Sequence, residues 1–363
     1  MKRRYWIVPF LLLSLLLCGW AADAAEQRTE LHIAAAADSK SLRLLAASFD
    51  ESQSKYRTVI DIYAPEDCER LYGEMASGSG PDVVDLSLLP LPEDLTLLED
   101  LNAFRSDTAV RPEELMTPVL TSWEMDGALR MVPASFAVST MTVRRADAKG
   151  QNGWNVADME RILAEKGSGW QLLNGWMTGE EYVKWIAALG KGLTEWDLQQ
   201  NLRLAALLPS GPEQANAWPD ASQEPSVAEV QVVQNAEAMG AICRGYGEDI
   251  TFVGFPVEEG DGQFLHSEGP LLGISSASLH KDAAGQLVAL ALGRTYQQEM
   301  TERCGGFSVR RDVFDAALEK ALAEVDGFSE REAKQLRQLT DQTHPVTIYD
   351  PAAVQRLQDM LHS

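Results

Sequence analysis

Cysteine, histidine and positive charge are all scarce in this chain, and each scarcity removes a class of function. There are four cysteines in 363 residues. Cys18 lies in the N-terminal segment, and Cys68, Cys243 and Cys304 follow as an odd set without metal-ligand spacing. Neither a disulfide framework nor a zinc module is expected, although a bridge between Cys243 and Cys304 is left open. The histidines, His32, His266, His280, His344 and His362, are scattered. No H-E-x-x-H helix or G-x-S-x-G elbow is present, so zinc-protease and serine-hydrolase chemistry have no carrier. No metal and no cofactor is expected. Lys and Arg number 31 against 54 Asp and Glu, a net charge of -23, and such a surface repels nucleic acid and anionic lipid.

What is present suits a secreted protein with two cores. Residues 1 to 25 have a basic start (Lys2, Arg3, Arg4), an apolar run from Tyr5 to Leu17 and a small-residue exit at Ala22-Asp23-Ala24. This is the pattern of a secretory signal, too short to span a membrane as a helix. Two processing routes stay open, cleavage before Ala25 and cleavage before a lipid-bearing Cys18. The residue before Cys18 is Leu17, where lipoprotein signals use a small residue. A chain of this length that is 45% apolar can build one large or two medium domains.

The stretch from Glu74 to Leu86 organises the first half. Gly78 and Gly80 can take the positive φ that closes a helix, Pro81 forbids its continuation, and Asp82 to Leu88 supplies a short apolar run broken by Asp85. Before it come a strand at Leu31 to Ala35, a helix with Leu42, Leu45, Ala46 and Phe49 on one face, a strand at Thr58 to Tyr63 and a helix at Glu66 to Ser77. This β-α-β-α-β order predicts a parallel sheet. Ligands of such sheets sit beyond the carboxyl ends of the strands, which brings together the turns at Ala36 to Ser39, Ala64 to Asp67 and Asp85 to Leu89. Asp38, Glu66, Asp85 and Ser87 are the candidate contacts there. Asp38 or Ser39 also fits a helix cap, whereas Asp85 has no cap to make.

The middle of the chain is rich in tryptophan. Asp126-Gly127 predicts a tight turn, and the extended run from Ala128 through Phe136 to Val143 suits a passage from one lobe to another, with Ser135 and Phe136 near the crossing. Trp154 precedes a cap at Asn155 and should staple onto Met159, Trp185 lies on a helix face with Tyr182, Ile186 and Leu189, and Trp196 sits at the approach to the Leu198, Leu202, Ala205 helix. All three are expected in the core. Trp176 and Trp218 lack helical context and are the candidate stacking surfaces.

These stretches together resemble the bacterial extracellular solute-binding proteins of ABC importers, the family that includes sugar- and maltose-binding proteins. The resemblance rests on the signal with Cys18, Met75-Ala76-Ser77-Gly78-Ser79-Gly80-Pro81-Asp82-Val83-Val84, Asp126-Gly127-Ala128-Leu129-Arg130-Met131-Val132-Pro133, Val253-Gly254-Phe255-Pro256 and Gly305-Gly306-Phe307-Ser308-Val309-Arg310. It covers most of residues 30 to 315 and is poor between Lys191 and Val227. It implies an α/β, two-lobed periplasmic-binding-protein-like fold with the ligand in the cleft between lobes. The implied lobes are residues 28–137 plus 266–305 and residues 138–265 plus 306–363. By position it implies that Asp38, Glu66 and Asp85 are first-lobe contacts and that Phe136, Trp176 and Trp218 are cleft residues. The implied function is capture of a small polar solute, a saccharide first of all, for an ABC permease, by a monomer without catalysis of its own.

A ligand-sensing or scaffold lipoprotein of the same fold is the alternative. A secreted hydrolase using Asp82 and Asp85 is disfavoured, because residues three apart on a strand point to opposite faces.

Overall fold

The computed structural model describes residues 28–102, 111–151, 153–174, 177–210, 225–246 and 249–362. Strand β1 (Thr29–Ala35) leads into helix α1 (Lys40–Ser52), where Ser39 Oγ accepts the Leu42 N–H at 3.1 Å. Ser39 is thus the cap, worth about 1 kcal/mol, and Asp38 pairs with Arg43 at 2.9 Å instead. Leu42, Leu45, Ala46 and Phe49 are buried as their spacing requires. Strand β2 (Tyr56–Ile62) and helix α2 (Cys68–Ser77) follow, and Gly78 ends α2 at φ 74°. Strand β3 (Val83–Asp85) completes the expected alternation, though it is shorter than its apolar run suggests.

A five-stranded sheet has the order β2-β1-β3-β10-β4, with β10 (Leu271–Ile274) antiparallel to β3 and to β4 (Val132–Pro133). Between β3 and β4 lie a short helix α3 (Thr117–Thr121) and the Asp126-Gly127 turn, where both residues have positive φ and a Met125–Ala128 bridge closes the reversal. Helices α9 (Lys281–Ala291) and α10 (Arg294–Arg303) return to pack on α1.

The second sheet is built around β5 (Ser135–Arg144). Phe136 pairs with both Ser267 of β9 (Phe264–Ser267) and Phe307 of β11 (Phe307–Ser308), and Val138 pairs with both Leu265 and Val233 of β7 (Ser226–Val233). A strand residue has one partner on each edge, so β9 lies on one edge of β5 and β11 and β7 lie on the other. β8 (Ile250–Phe252) also pairs with β5, and β6 (Gln171–Leu173) lies parallel beyond β7.

Helices α4 (Arg145–Ala148), α5 (Val156–Lys166), α6 (Gly179–Leu189), α7 (Glu195–Ala206) and α8 (Ala236–Tyr246) interleave with these strands, and α11 (Arg311–Glu324), α12 (Glu330–Thr340) and α13 (Pro351–Leu361) follow β11. One core runs from the first sheet through Phe136, Phe307 and Phe314 to the face of the second sheet under α8, α11 and α12. The other fills the opposite face with Met141, Tyr182, Phe255 and Phe264.

The chain passes between the sheets three times: at Ala134, at residues 268–270 and at residues 304–306.

Two expectations need correction. Trp196 is 56% exposed, because the Thr194–Asp197 capping box turns Asn201, Leu204 and Ala205 inward and leaves the tryptophan in the first turn facing out. Cys243 and Cys304 are both free thiols, one on α8 over the second sheet and the other ending α10 on the first. The C-terminal segment closes over both the second sheet and its helices. Val346 bridges Leu265, covering the outer edge of β9, and α13 packs on α6. Asp350 capping Ala353 N–H at 2.8 Å, with Pro351 at the first helical position, is the local signal for that helix.

Trp154 behaves as its position before the Asn155 cap predicts. It is buried, and its Nε1 donates to Gly254 O at 2.8 Å.

Candidate functional site

The parallel strands β1, β2 and β3 all end on one edge of the first sheet. Because β10 is antiparallel to β3 and β4, β4 ends on that edge and β10 begins there. The turns after β1, β2 and β3 therefore share a rim with the crossings at Ala134 and at residues 268–270. Two sheets joined across such a rim enclose a cleft at the carboxyl edge, the place where α/β sheets bind ligands.

The rim is polar with two aliphatic points. Asp38 and Glu66 are exposed and Ser87 is half-buried, so all three can be reached. Ile62 (53% exposed) and Leu88 (52% exposed) flank them. Their apolar character had marked them only as strand residues; strand ends place them outside. Tyr63 is fixed rather than available. Its hydroxyl donates to Glu74 Oε2 at 2.8 Å, Arg70 lies over its ring, and burial together with Glu74 pushes its pKa up to about 12.

Asp85 lies beneath this surface, 4% exposed. Its Oδ1 accepts Ser87 N–H at 3.0 Å and Leu271 N–H at 2.9 Å. The first bond shapes the turn that presents Ser87, and the second fastens β3 to the residue where the chain re-enters the first sheet. Burial raises its pKa against the pull of these amides. Asp85→Ala strands a buried Leu271 N–H and should cost about 2 to 3 kcal/mol, whereas Asp85→Asn keeps an acceptor and should cost about 1 kcal/mol or less. Urea unfolding of the two variants checks this order.

Phe136 is placed away from the cleft surface. It is fully buried, with its ring 5.5 Å from Phe307 and 6.4 Å from Phe314. Alternation along β5 gives Phe136 to the core face and Ser135, Ala137 and Ser139 to the other. Trp176, Trp218 and Cys18 lie outside the described residues.

The three crossings are packed on one another. A Cβ at Gly269 would lie 2.9 Å from Ser135 Oγ, and one at Gly306 would lie 2.6 Å from the same atom. Gly306 also has φ 84°. Only glycine lets the second and third crossings come this close to the first. Gln297, on α10 and fully buried, binds two of them. Its Nε2 donates to Ala134 O at 2.6 Å, and its Oε1 accepts from Ser308 Oγ at 2.6 Å and Val309 N at 3.1 Å. Among the described residues no group of three or more His, Cys, Asp or Glu side chains could hold a metal ion.

No family model matches the chain, and no curated protein matches it in sequence. Solved structures do match its fold. The sugar-binding protein MalE from the phytopathogen Xanthomonas citri is 18% identical, covering 92% of this chain and 90% of that one, with a TM-score of 0.62. The cyclic α-maltosyl-1,6-maltose binding protein from Arthrobacter globiformis is 15% identical over 92% and 93%, with a TM-score of 0.55. An ABC transporter solute-binding protein from Agrobacterium vitis with bound D-mannitol is 15% identical over 92% and 93%, with a TM-score of 0.54. The chain therefore has the two-lobed α/β fold of the periplasmic binding proteins, with a cleft between its lobes.

Proposed function

We propose that this chain is an extracytoplasmic solute-binding protein that captures a small saccharide or polyol between its lobes and delivers it to the permease of an ABC importer. The observation that carries the reading is the shared rim: three strand-end turns bearing Asp38, Glu66 and Ser87 stand on the same sheet edge as the crossings to the second sheet. Carboxylates and hydroxyls suit a hydroxylated ligand, and a rim with these acceptors disfavours an anion. The sugar and polyol ligands named for structures of the same fold support the same class.

In this reading Asp38, Glu66 and Ser87 contact the ligand, and Asp85 and Phe136 hold the surface from behind. Trp176 and Trp218 offer stacking faces. Sheet membership supports a lobe division at the three crossings, slightly displaced from the sequence-based boundaries because Ser135 to Ala137, His266 and Ser267 belong to the second sheet. Residues 1 to 25 act as the export signal. Either the freed chain works outside the cytoplasmic membrane or a lipid on Cys18 holds it there, as a monomer that carries out no covalent chemistry.

A thermal-shift screen of the purified chain against mono- and oligosaccharides, polyols, amino acids and polyamines tests the proposal. Ligand at about a hundred times its dissociation constant adds roughly 2.7 kcal/mol and should raise the melting midpoint by several degrees. A saccharide or polyol hit is the expected result. Hits confined to amino acids or polyamines would replace the ligand class, and a flat screen would contradict solute capture.

A further inference from the structure

The second-sheet side of the cleft has a polar feature that sequence reasoning missed. On β5, Ser135, Ala137 and Ser139 share one face, and their partners on β9 share it with them: Phe264 opposite Ser139 and His266 opposite Ala137. Toward the far end this face is sealed by Phe264, Phe255 and Tyr182. Toward the crossing it is lined by small side chains and by the half-buried His266 and Glu268. The hydroxyls of Ser135 and Ser139 are buried there without a hydrogen-bond partner. Gly269 and Gly306 close over Ser135 Oγ and Phe264 stands opposite Ser139, so the polar side chains of this face that a ligand can reach are His266 and Glu268.

Both stand at the end of this face nearest the crossing. His266 Nδ1 lies 3.2 Å from Thr347 Oγ1, on the segment that covers β9. With Thr347 donating to Nδ1, the ring proton sits on Nε2, 3.8 Å from a Glu268 carboxylate oxygen. That gap is too long for a hydrogen bond, yet an oxygen about 2.8 Å from each atom fits over it. The inserted group must accept from the imidazole and donate to the carboxylate. A hydroxyl does both; a carboxylate lacks the donor, a carboxylate or phosphate meets the Glu268 charge, and an ammonium has no lone pair for Nε2–H. Burial lowers the His266 pKa, which favours the neutral ring this arrangement uses.

We propose that His266 and Glu268 form the second-lobe clamp on a hydroxyl of the ligand, and that this pair selects hydroxylated ligands. The assignment rests on the solute-capture reading and adds polar second-lobe contacts to it.

Isothermal titration of the purified chain against a panel of saccharides and polyols that includes maltose, D-tagatose and D-mannitol tests it, using His266→Gln, Glu268→Gln and the double variant, each checked for an unchanged melting midpoint. Each single change should weaken the bound probe about 10- to 100-fold, the effect of losing a hydrogen bond to a polar or charged partner. The double change should weaken it far less than the product of the two, because both residues hold one hydroxyl. Should Glu268→Gln fail to fold, His266→Gln carries the test. Binding of a probe by the parent chain with both single variants within twofold overturns the clamp and leaves solute capture standing. Failure of the parent chain to bind any member of the panel removes the hydroxylated-ligand reading and the clamp with it.

Discussion

Replacing Gln297 by alanine should lower the unfolding free energy by about 4 kcal/mol, the largest loss expected from any single truncation at the crossings. One amide group satisfies Ala134 O, Ala291 O, Ser308 Oγ and Val309 N–H at distances of 2.6 to 3.1 Å with no solvent access. Truncation leaves several buried groups unpaired at about 1 to 3 kcal/mol each, partly relieved by relaxation or an entering water. Gln297→Glu keeps the acceptor but sets a carboxylate oxygen against two carbonyls, so it should not restore stability. Gln335, half-buried with a single amide bond to Phe252 O at 3.2 Å, is the control; its truncation should cost about 1 kcal/mol. Melting midpoints of the three variants, compared with the parent, give the order directly. Equal small shifts for Gln297→Ala and Gln335→Ala would show that the crossings are not held by this side chain.

The second large effect belongs to Gly306. An alanine there places a Cβ 2.6 Å from Ser135 Oγ, 2.9 Å from Ser135 Cβ and 3.1 Å from Glu268 Cβ, at φ 84°. Left-handed backbone strain and overpacking each cost about 1 to 3 kcal/mol, so Gly306→Ala should lose about 3 kcal/mol or more. The two causes separate in a double variant. Ser135→Gly in the Gly306→Ala background removes the contact and leaves the strain, so it should recover part of the loss and not all of it. Chemical denaturation of the four combinations reads the coupling. Simple additivity would mean that the two crossings do not touch as described.

These contacts explain why some of the architecture was legible in the sequence and some was not. Local signals carried the first half: the spacing of Leu42, Leu45 and Phe49, the Gly78 stop and the Asp126-Gly127 reversal each act within a few residues. The glycines at 305 and 306 were visible as part of a resemblance, but the reason for Gly306 is a residue 171 positions earlier, since it makes room for Ser135. Phe136 suggested a cleft aromatic because it lies beside the crossing. Which face it takes depends on the register of β5 with β9 and β11, which is set by distant pairing. Asp85 was singled out as a ligand contact because it has no helix cap to make, and the structure places it below the surface, 4% exposed. The explanation, a bond to Leu271, again spans the chain.

His266 and Glu268 passed unnoticed for the same reason. β9 is four residues long, and nothing local distinguishes it from a loop until β5 and the Pro345 to Val346 segment are placed on its two sides. Trp196 shows the opposite failure. Its place at the approach to a helix suggested a core position, and a capping box turned the residue outward.

The central claim is that ligand is held between lobes that close on it, and small-angle scattering of the purified chain with and without a saturating saccharide or polyol tests that claim most directly. The account predicts a smaller radius of gyration with ligand, because contacts to the rim of one lobe and the face of the other can be made together only when the lobes approach. An unchanged radius at proven saturation would contradict it.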